Sequence, residues 1–186
     1  MAEPAPASVR PVPTSFDRRV FRAIHGLPHS GISDRYFSAV SDAGEGLGWV
    51  VGGVGLAWLG GPKGRRAGMA VALGSLAASY LVQRLMKPIF RRKRPFVDRE
   101  VLVVGIKPAD ASFPSGHTAA SFAAATALSS FYPRAAPLAF TLAMAVGLSR
   151  VYLGHHFPSD VAVGAGVGIG IGTGVAWAAR FKVAEE

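Results

Sequence analysis

Two histidines and an aspartate lie close together near residue 155. Asp160 follows His156 by four residues, and Arg150 precedes His156 by six. At this spacing the Asp160 carboxylate can accept the Nδ1 proton of His156, which fixes the tautomer and leaves Nε2 free to attack an electrophile. Taken singly, these residues have ordinary alternatives as an interfacial arginine, a loop histidine and a capping aspartate. Together they indicate nucleophilic catalysis on an anionic substrate.

A second group of residues opens a long apolar run. It extends from Pro114 to Thr118 and reads Pro-Ser-Gly-His-Thr. Pro and Ser at this place mark the start of a helix, whose free N–H groups bind anions. Gly116 has no side chain, so a phosphate could approach the backbone closely. His117 could serve as a general acid. A lone Ser-Gly-His has little specificity, so this motif gains weight only from its neighbours.

A third group is basic and runs from Lys87 to Arg94, with Pro95 after it. It follows an apolar stretch. A basic cluster in that position is usually the cytoplasmic flank of a membrane helix. Alone, this group is weak support for a functional site.

Taken together, the three groups resemble the signature of the type 2 phosphatidic acid phosphatase superfamily. The matching positions are Lys87, Arg94 and Pro95, then Pro114, Ser115, Gly116 and His117, then Ser149, Arg150, His156 and Asp160. Every position is filled in order, and the resemblance covers residues from about 45 to 179. It implies a helical bundle in which the three motifs meet at one membrane face. It also implies hydrolysis of a phosphoester through a phosphohistidine.

The resemblance implies which residues hold the phosphate. Lys87, Arg94 and Arg150 would surround it, since guanidinium groups grip phosphate in a bidentate manner. Ser115 and the N–H of Gly116 would bind further oxygens. We expect no metal and no cofactor, because protein cations balance the phosphate charge and no cluster has the carboxylate ligands that Mg²⁺ prefers.

The resemblance also implies three catalytic residues. His156 would attack phosphorus in line, and Asp160 would orient it. His117 would protonate the leaving oxygen and then activate the water that cleaves the phosphohistidine.

The elements that must position these residues are apolar helices. Half of the chain is hydrophobic and 17% is charged, whereas about a quarter is usual in a soluble domain. Since a span needs roughly 20 residues, we predict five spans, at about 46–61, 67–86, 114–132, 135–150 and 160–179. Alternate glycines from Gly164 to Gly174 would allow close helix packing in lipid. The predicted fold is therefore all-α, an integral-membrane helical bundle, and a soluble helical core fits these uncharged runs poorly.

The predicted organisation has three parts. Residues 1–15 are rich in Ala and Pro and read as a flexible tail, residues 16–44 as amphipathic interfacial helices, and residues 45–182 as the membrane phosphatase domain. Between the first two spans we predict a basic turn at 62–66. There is no cysteine, which excludes disulfides and thiolate chemistry. The net charge of +9 lies beside apolar runs, so we predict anionic lipid and no nucleic acid as a partner.

Three other functions compete with a lipid phosphatase. Vanadate-binding haloperoxidases share the signature, but they are larger soluble proteins. A non-catalytic lipid-phosphate binding or transport protein would not need His117, His156 and Asp160. A purely structural membrane protein has almost no support from the motifs.

The substrate and the orientation are less constrained. The motifs recognise phosphate and not the lipid tail. We favour a polyprenyl phosphate or diphosphate of cell-wall lipid metabolism, with phosphatidate and phosphatidylglycerol phosphate as alternatives. The resemblance implies a multi-pass protein of the plasma (inner) membrane with its active site on the outer side. The active face carries more basic residues than the opposite face, so the positive-inside rule does not support this orientation. The oligomeric state is not predicted.

Overall fold

The chain forms a bundle of helices in a computed structural model that describes residues 15–97 and 101–181. The predicted tail, apart from Ser15, lies outside the described residues. The helices are α1 (Phe16–His25), α2 (Gly31–Ala43), α3 (Leu47–Leu59), α4 (Gly61–Leu81), α5 (Lys87–Phe90), α6 (Gly116–Phe131), α7 (Ala136–Tyr152) and α8 (Pro158–Phe181). Within the described ranges there is no β-strand, so the predicted all-α fold is confirmed.

Helix α6 is the centre of the bundle. It packs against α3, α4, α7 and α8, and its alanines at 119, 120, 123, 124, 125 and 127 have no exposed surface. Small side chains let four helices approach one central helix closely. This helix carries the Ser-Gly-His motif at its first turn, so the core fixes the position of the site.

Helix α8 packs on α6 through one row of glycines. A Cβ atom added at Gly164 would lie 2.6 Å from the carbonyl oxygen of Ser115, and one at Gly168 or Gly172 would lie 2.4 Å from a carbonyl oxygen of α6. The intervening glycines at 166, 170 and 174 have nothing within 4 Å. Only the glycines that recur every fourth residue therefore serve helix contact.

Helix α4 begins earlier than the sequence indicated. The predicted basic turn at 62–66 is wrong, because those residues form the first turns of α4. The chain reverses at Gly60 and Gly61, where Gly61 has φ +63°. Pro62 then occupies the second helical position, where its missing N–H costs nothing. Exposed basic side chains at a helix start can extend towards the lipid–water interface.

Three helical segments in the described ranges are long and apolar enough to cross a membrane: Gly61–Phe90, Pro133–Tyr152 and Pro158–Arg180. The other two predicted spans are shorter helices, α3 with 13 residues and α6 with 16. Helix α6 is surrounded by protein, so it does not need to match the bilayer by itself. The protein is a membrane protein, and the count of five spans stays a prediction.

Helices α1 and α2 fold onto the end of the bundle that carries the motifs. Ser30 and Ser33 form a reciprocal cap at the start of α2. The hydroxyl of Tyr152, at the end of α7, donates to the carboxylate of Asp34 at 2.9 Å. The ring of Phe21 lies 5.5 Å from that of Phe157. The predicted helices of 16–44 are present, and they join the site.

Candidate active site

The three sequence groups meet at one cavity of about 490 Å³. Five of the eight predicted site residues line it: Lys87, Arg94, His117, Arg150 and His156. Asp160 lies directly behind His156 and is fully buried. Ser115 and Gly116 lie at the start of α6 and are not among the lining residues.

The backbone around Lys87 and Arg94 is irregular. A π-helical turn, Val82–Met86, separates α4 from α5, which begins at Lys87. Such turns are frequent at functional sites. Arg91 then ends α5 in the left-handed conformation, with φ +46°. The chain continues without regular structure to Arg94, so both cations reach the same cavity although six residues separate them.

His156 is held between a carboxylate and a guanidinium. Its Nδ1 atom lies 3.6 Å from Oδ2 of Asp160, slightly beyond hydrogen-bond distance, and has no hydrogen-bond partner in the described residues. Its Nε2 atom lies 3.4 Å from Nη1 of Arg94, which is a donor. This arrangement suits a neutral imidazole with its proton on Nδ1 and its lone pair on Nε2.

Asp160 is fixed by three donors. The hydroxyl of Ser112 donates to Oδ2 at 2.5 Å, and the backbone N–H of Phe157 donates to the same oxygen at 2.8 Å. Nη1 of Arg92 donates to Oδ1 at 2.7 Å. A carboxylate held this way keeps one position, so it can define the orientation of the His156 ring.

Helix α1 supplies a further carboxylate to this network. Oδ2 of Asp17 accepts from Nη2 of Arg92 at 2.6 Å and from the hydroxyl of Ser159, also at 2.6 Å. The backbone N–H of Ser159 donates to Oδ1 of Asp17 at 2.9 Å. Arg92 therefore bridges the carboxylates of Asp17 and Asp160. The amino-terminal helix helps to position the catalytic loop.

Lys87 and Arg94 share the carboxylate of Asp110. The Lys87 ammonium donates to Oδ2 of Asp110, and Nη2 of Arg94 donates to Oδ1 at 2.5 Å. Burial alone would raise the pKa of the Asp110 carboxyl, but these two cations outweigh it and hold the pKa below its usual value. Asp110 is therefore an ionised counterion at the mouth of the cavity.

Arg150 is nearly buried at the end of α7. Its Nη1 donates to the hydroxyl of Ser41 on α2 at 2.5 Å. Its Nε has no partner in the described part of the chain. A buried donor without an acceptor is costly, and an anion in the cavity would provide one.

Burial and positive neighbours keep the two loop histidines neutral. Burial, with the nearby Arg94 and Arg150, lowers the pKa of His156 to about 4, although Asp160 opposes the shift. Burial and Arg150 lower the pKa of His155 to about 3. At neutral pH the lone pair of His156 is thus available for attack on phosphorus.

His117 faces the cavity from the first turn of α6. Its Nε2 lies 3.8 Å from Oε1 of Glu45, in the turn between α2 and α3. Ser115, two residues earlier, caps α6: its hydroxyl accepts from the backbone N–H of Thr118 at 3.4 Å and from the Thr118 hydroxyl at 2.9 Å. A Cβ added at Gly116 would meet only ordinary contacts. The phosphate-binding roles of Ser115 and Gly116 stay predictions.

Sequence reasoning missed several residues that build this site. They are Asp17, Ser41, Glu45, Arg92, Asp110 and Ser112. Asp110 had a usable signal, because it is an isolated acid between the basic group and the Ser-Gly-His group. Asp17 and Ser41 had no such signal in the sequence, since they belong to helices outside the signature.

Comparison with known proteins places this geometry in a family. The sequence model of the PAP2 superfamily matches residues 68–184, more than half of the chain. The chain belongs to the PAP2 superfamily. The family predicted from the three motifs is therefore confirmed.

Three PAP2 relatives show the range of the similarity. The chain is 36% identical over 122 residues to a decaprenylphosphoryl-5-phosphoribose phosphatase of Mycobacterium tuberculosis, covering 63% of this chain and 64% of the relative. It is 29% identical over 144 residues to the undecaprenyl-diphosphatase BcrC of Bacillus subtilis, covering 76% and 73%. The crystal structure of LpxE from Aquifex aeolicus superposes with a TM-score of 0.69 at 27% identity, covering 87% and 95%.

The chain thus spans slightly less than two thirds of the mycobacterial relative. The LpxE superposition extends over nearly the whole of that protein. The names of the two polyprenyl relatives agree with the predicted class of enzyme.

Proposed function

We propose that this protein is a lipid phosphate phosphatase that hydrolyses a polyprenyl phosphate ester or diphosphate through a phosphohistidine at His156. The observation that carries the proposal is the convergence of Lys87, Arg94, Arg150 and His117 around the His156 ring in one cavity. A neutral imidazole beside three cations suits attack on an anionic phosphorus centre.

Phosphate binding would use the three cations. The Nε of Arg150 has no partner among the residues that the structure describes, and Arg94 and Lys87 donate to Asp110. A phosphate entering the cavity would take over some of the donors that Asp110 holds. Phosphoryl transfer spreads charge over the equatorial oxygens, so preorganised cations stabilise the transition state more than the ground state.

The reaction has two displacement steps. In the first, Nε2 of His156 forms a bond to phosphorus while the bond to the leaving oxygen breaks, and His117 gives that oxygen a proton. In the second, His117 takes a proton from water as the water oxygen attacks phosphorus, and the bond to His156 breaks. The products are inorganic phosphate and either an alcohol or a prenyl monophosphate. Asp160 holds the ring of His156 throughout.

The proposed mechanism uses no metal ion. Within residues 15–97 and 101–181 no group of three or more His, Asp or Glu is arranged to hold one. The cations Lys87, Arg94 and Arg150 take the place that Mg²⁺ has in many phosphoryl-transfer sites.

The proposed substrate class follows from the relatives and the architecture. The two relatives act on a polyprenyl-linked phosphoribose and a polyprenyl diphosphate. The cavity opens at one end of a helical bundle that crosses the membrane. A lipid with its phosphate at the interface could enter from the bilayer. We propose the inner membrane as the location and its outer side for the cavity.

Phosphate release by the purified protein in detergent, with prenyl and glycerol lipid phosphates as substrates, tests the proposal. Release should persist in excess EDTA, because the phosphate is held by protein cations. Vanadate should inhibit, since it adopts the geometry of the transferring phosphoryl group. Loss of activity in EDTA that Mg²⁺ restores would contradict the mechanism, and no release from any lipid phosphate would contradict the function.

A further inference from the structure

The cavity contains carboxylates that the phosphatase mechanism does not use. Asp42, near the end of α2, and Glu45, in the following turn, both line it. Oε1 of Glu45 lies 3.8 Å from Nε2 of His117, the proposed proton donor to the leaving oxygen. The leaving group therefore has to pass beside Glu45, because the proton it receives comes from the adjacent imidazole.

The fixed charges of the cavity are balanced. Lys87, Arg94 and Arg150 face three carboxylates, Asp42, Glu45 and Asp110. Asp110 is paired with Lys87 and Arg94, so it competes for the phosphate group itself. Glu45 lies beside His117, and Asp42 lines the same cavity, so both carboxylates can act on what the phosphate is attached to. A second phosphate at that position would meet two like charges.

The buried imidazole of His155 indicates that a polar group binds in this cavity. The His155 side chain lines the cavity and is only 5% exposed, yet neither ring nitrogen has a hydrogen-bond partner among the described residues. The backbone of Val104 lies beside this ring and favours its protonated form. A buried imidazole left unpaired is costly. A hydroxyl group could accept from the N–H of this imidazole or donate to its bare nitrogen.

We infer that Asp42 and Glu45, with His155, form a leaving-group subsite that selects a phosphomonoester on a hydroxyl-bearing headgroup, such as a pentose, over a diphosphate. Sugar hydroxyls donate to the two carboxylates and pair with the imidazole, whereas a second phosphate has no donor there and is repelled. Specificity of this kind combines attraction for one substrate with repulsion of the other. The inference rests on the proposed phosphatase function.

The chemistry balances for the favoured substrate. The ester bond between phosphorus and the sugar oxygen breaks, and that oxygen takes the proton of His117. Water then supplies the oxygen of the released phosphate and returns a proton to His117. The product keeps the other hydroxyls of the sugar and gains one, so the site binds the product more weakly than the substrate because the phosphate is lost.

The test compares two lipids with the same prenyl chain, a prenylphosphoryl-5-phosphoribose and a prenyl diphosphate, as substrates of the full-length protein in detergent. The wild-type kcat/KM should be at least tenfold higher for the sugar lipid. In the double variant Asp42→Asn with Glu45→Gln, the ratio should fall at least tenfold, with a rise in kcat/KM for the diphosphate. Asp34→Asn is the control for the loss of one carboxylate from α2, because Asp34 does not line the cavity.

The outcomes separate the two proposals. A wild-type preference for the diphosphate, or a ratio unchanged in the double variant, contradicts the subsite while the phosphatase function stands. Phosphate release from neither lipid contradicts the phosphatase function as well. The wild-type comparison decides the matter even if the double variant does not fold, and hydrolysis of p-nitrophenyl phosphate reports whether its site is intact.

Discussion

His155 and His156 are adjacent in one loop, but they meet different neighbours. His156 faces Arg94 on one side and Asp160 on the other, whereas His155 has neither contact. We expect His156→Ala to abolish turnover, with no phosphoenzyme trapped by rapid alkaline quench of labelled substrate. His155→Ala should retain substantial turnover with a raised KM. The reverse result would show that His156 is not the nucleophile.

The charge state of the two histidines is a separate prediction. Their pKa values of about 3 and about 4 lie below the usual 6.5, so both rings should remain neutral as the pH falls to about 5.5, where a free histidine is mostly protonated. Nitrogen-15 NMR of histidine-labelled protein measures this, with His155→Asn and His156→Asn assigning the signals. The His156 signal should be that of the tautomer with its proton on Nδ1. An imidazolium signal at that pH would contradict the burial argument.

The chemistry of these side chains was largely predictable from sequence, but their counterions were not. The spacing of Arg150, His156 and Asp160 follows from a loop between two helices, so a linear pattern can reveal it. Asp110 and Arg92 act through contacts across the fold, to Lys87 and Asp160. No periodicity encodes such a contact. A hydrogen bond was expected between Asp160 and His156, but Oδ2 of Asp160 and Nδ1 of His156 are 3.6 Å apart, slightly too far for one. Asp160 already accepts from three other donors, which hold it in place.

The contact between α6 and α8 depends on glycines at every fourth position of α8. Gly168→Ala would place a Cβ atom 2.4 Å from the carbonyl oxygen of Ala119, so α8 must move away. We expect a loss of about 1–3 kcal/mol, typical of overpacking, seen as a lower Tm in detergent. Gly170→Ala is the control, since nothing lies within 4 Å of its added Cβ. Equal stability of the two variants would show that this contact is not tight.

Helix positions were easier to predict than helix ends. All five apolar runs are helices, because a long run of apolar residues without charge has few other stable structures. The start of α4 was missed, since Pro62 and Gly64 usually signal a turn and here occupy the first turns of a helix. The roles of α1 and α2 were also missed. Their amphipathic pattern suits a membrane surface, but α1 packs on the site through Phe21, and α2 does so through Asp34, which accepts from Tyr152.

The direction in which the bundle crosses the membrane is a further prediction. Lys107 belongs to the loop beside the cavity, and Arg65 lies at the start of α4, about 33 Å from Lys87 at 1.5 Å per residue. Because the chain has no cysteine, single cysteines can be introduced at either place. In intact cells a membrane-impermeant thiol reagent should label Lys107→Cys and not Arg65→Cys. Labelling of Arg65→Cys alone would place the cavity on the cytoplasmic side.

The shortness of α3 makes the protein sensitive to bilayer thickness. Its 13 residues span about 20 Å, against about 30 Å for a typical hydrocarbon core. Its exposed Val51 and Trp58 offer an apolar surface to lipid. Thicker membranes must therefore thin around α3, at a cost that rises with the mismatch. Since α3 begins two residues after Glu45, strain on α3 would displace a wall of the cavity, and turnover in reconstituted vesicles should decline as the acyl chains of the host phospholipid lengthen.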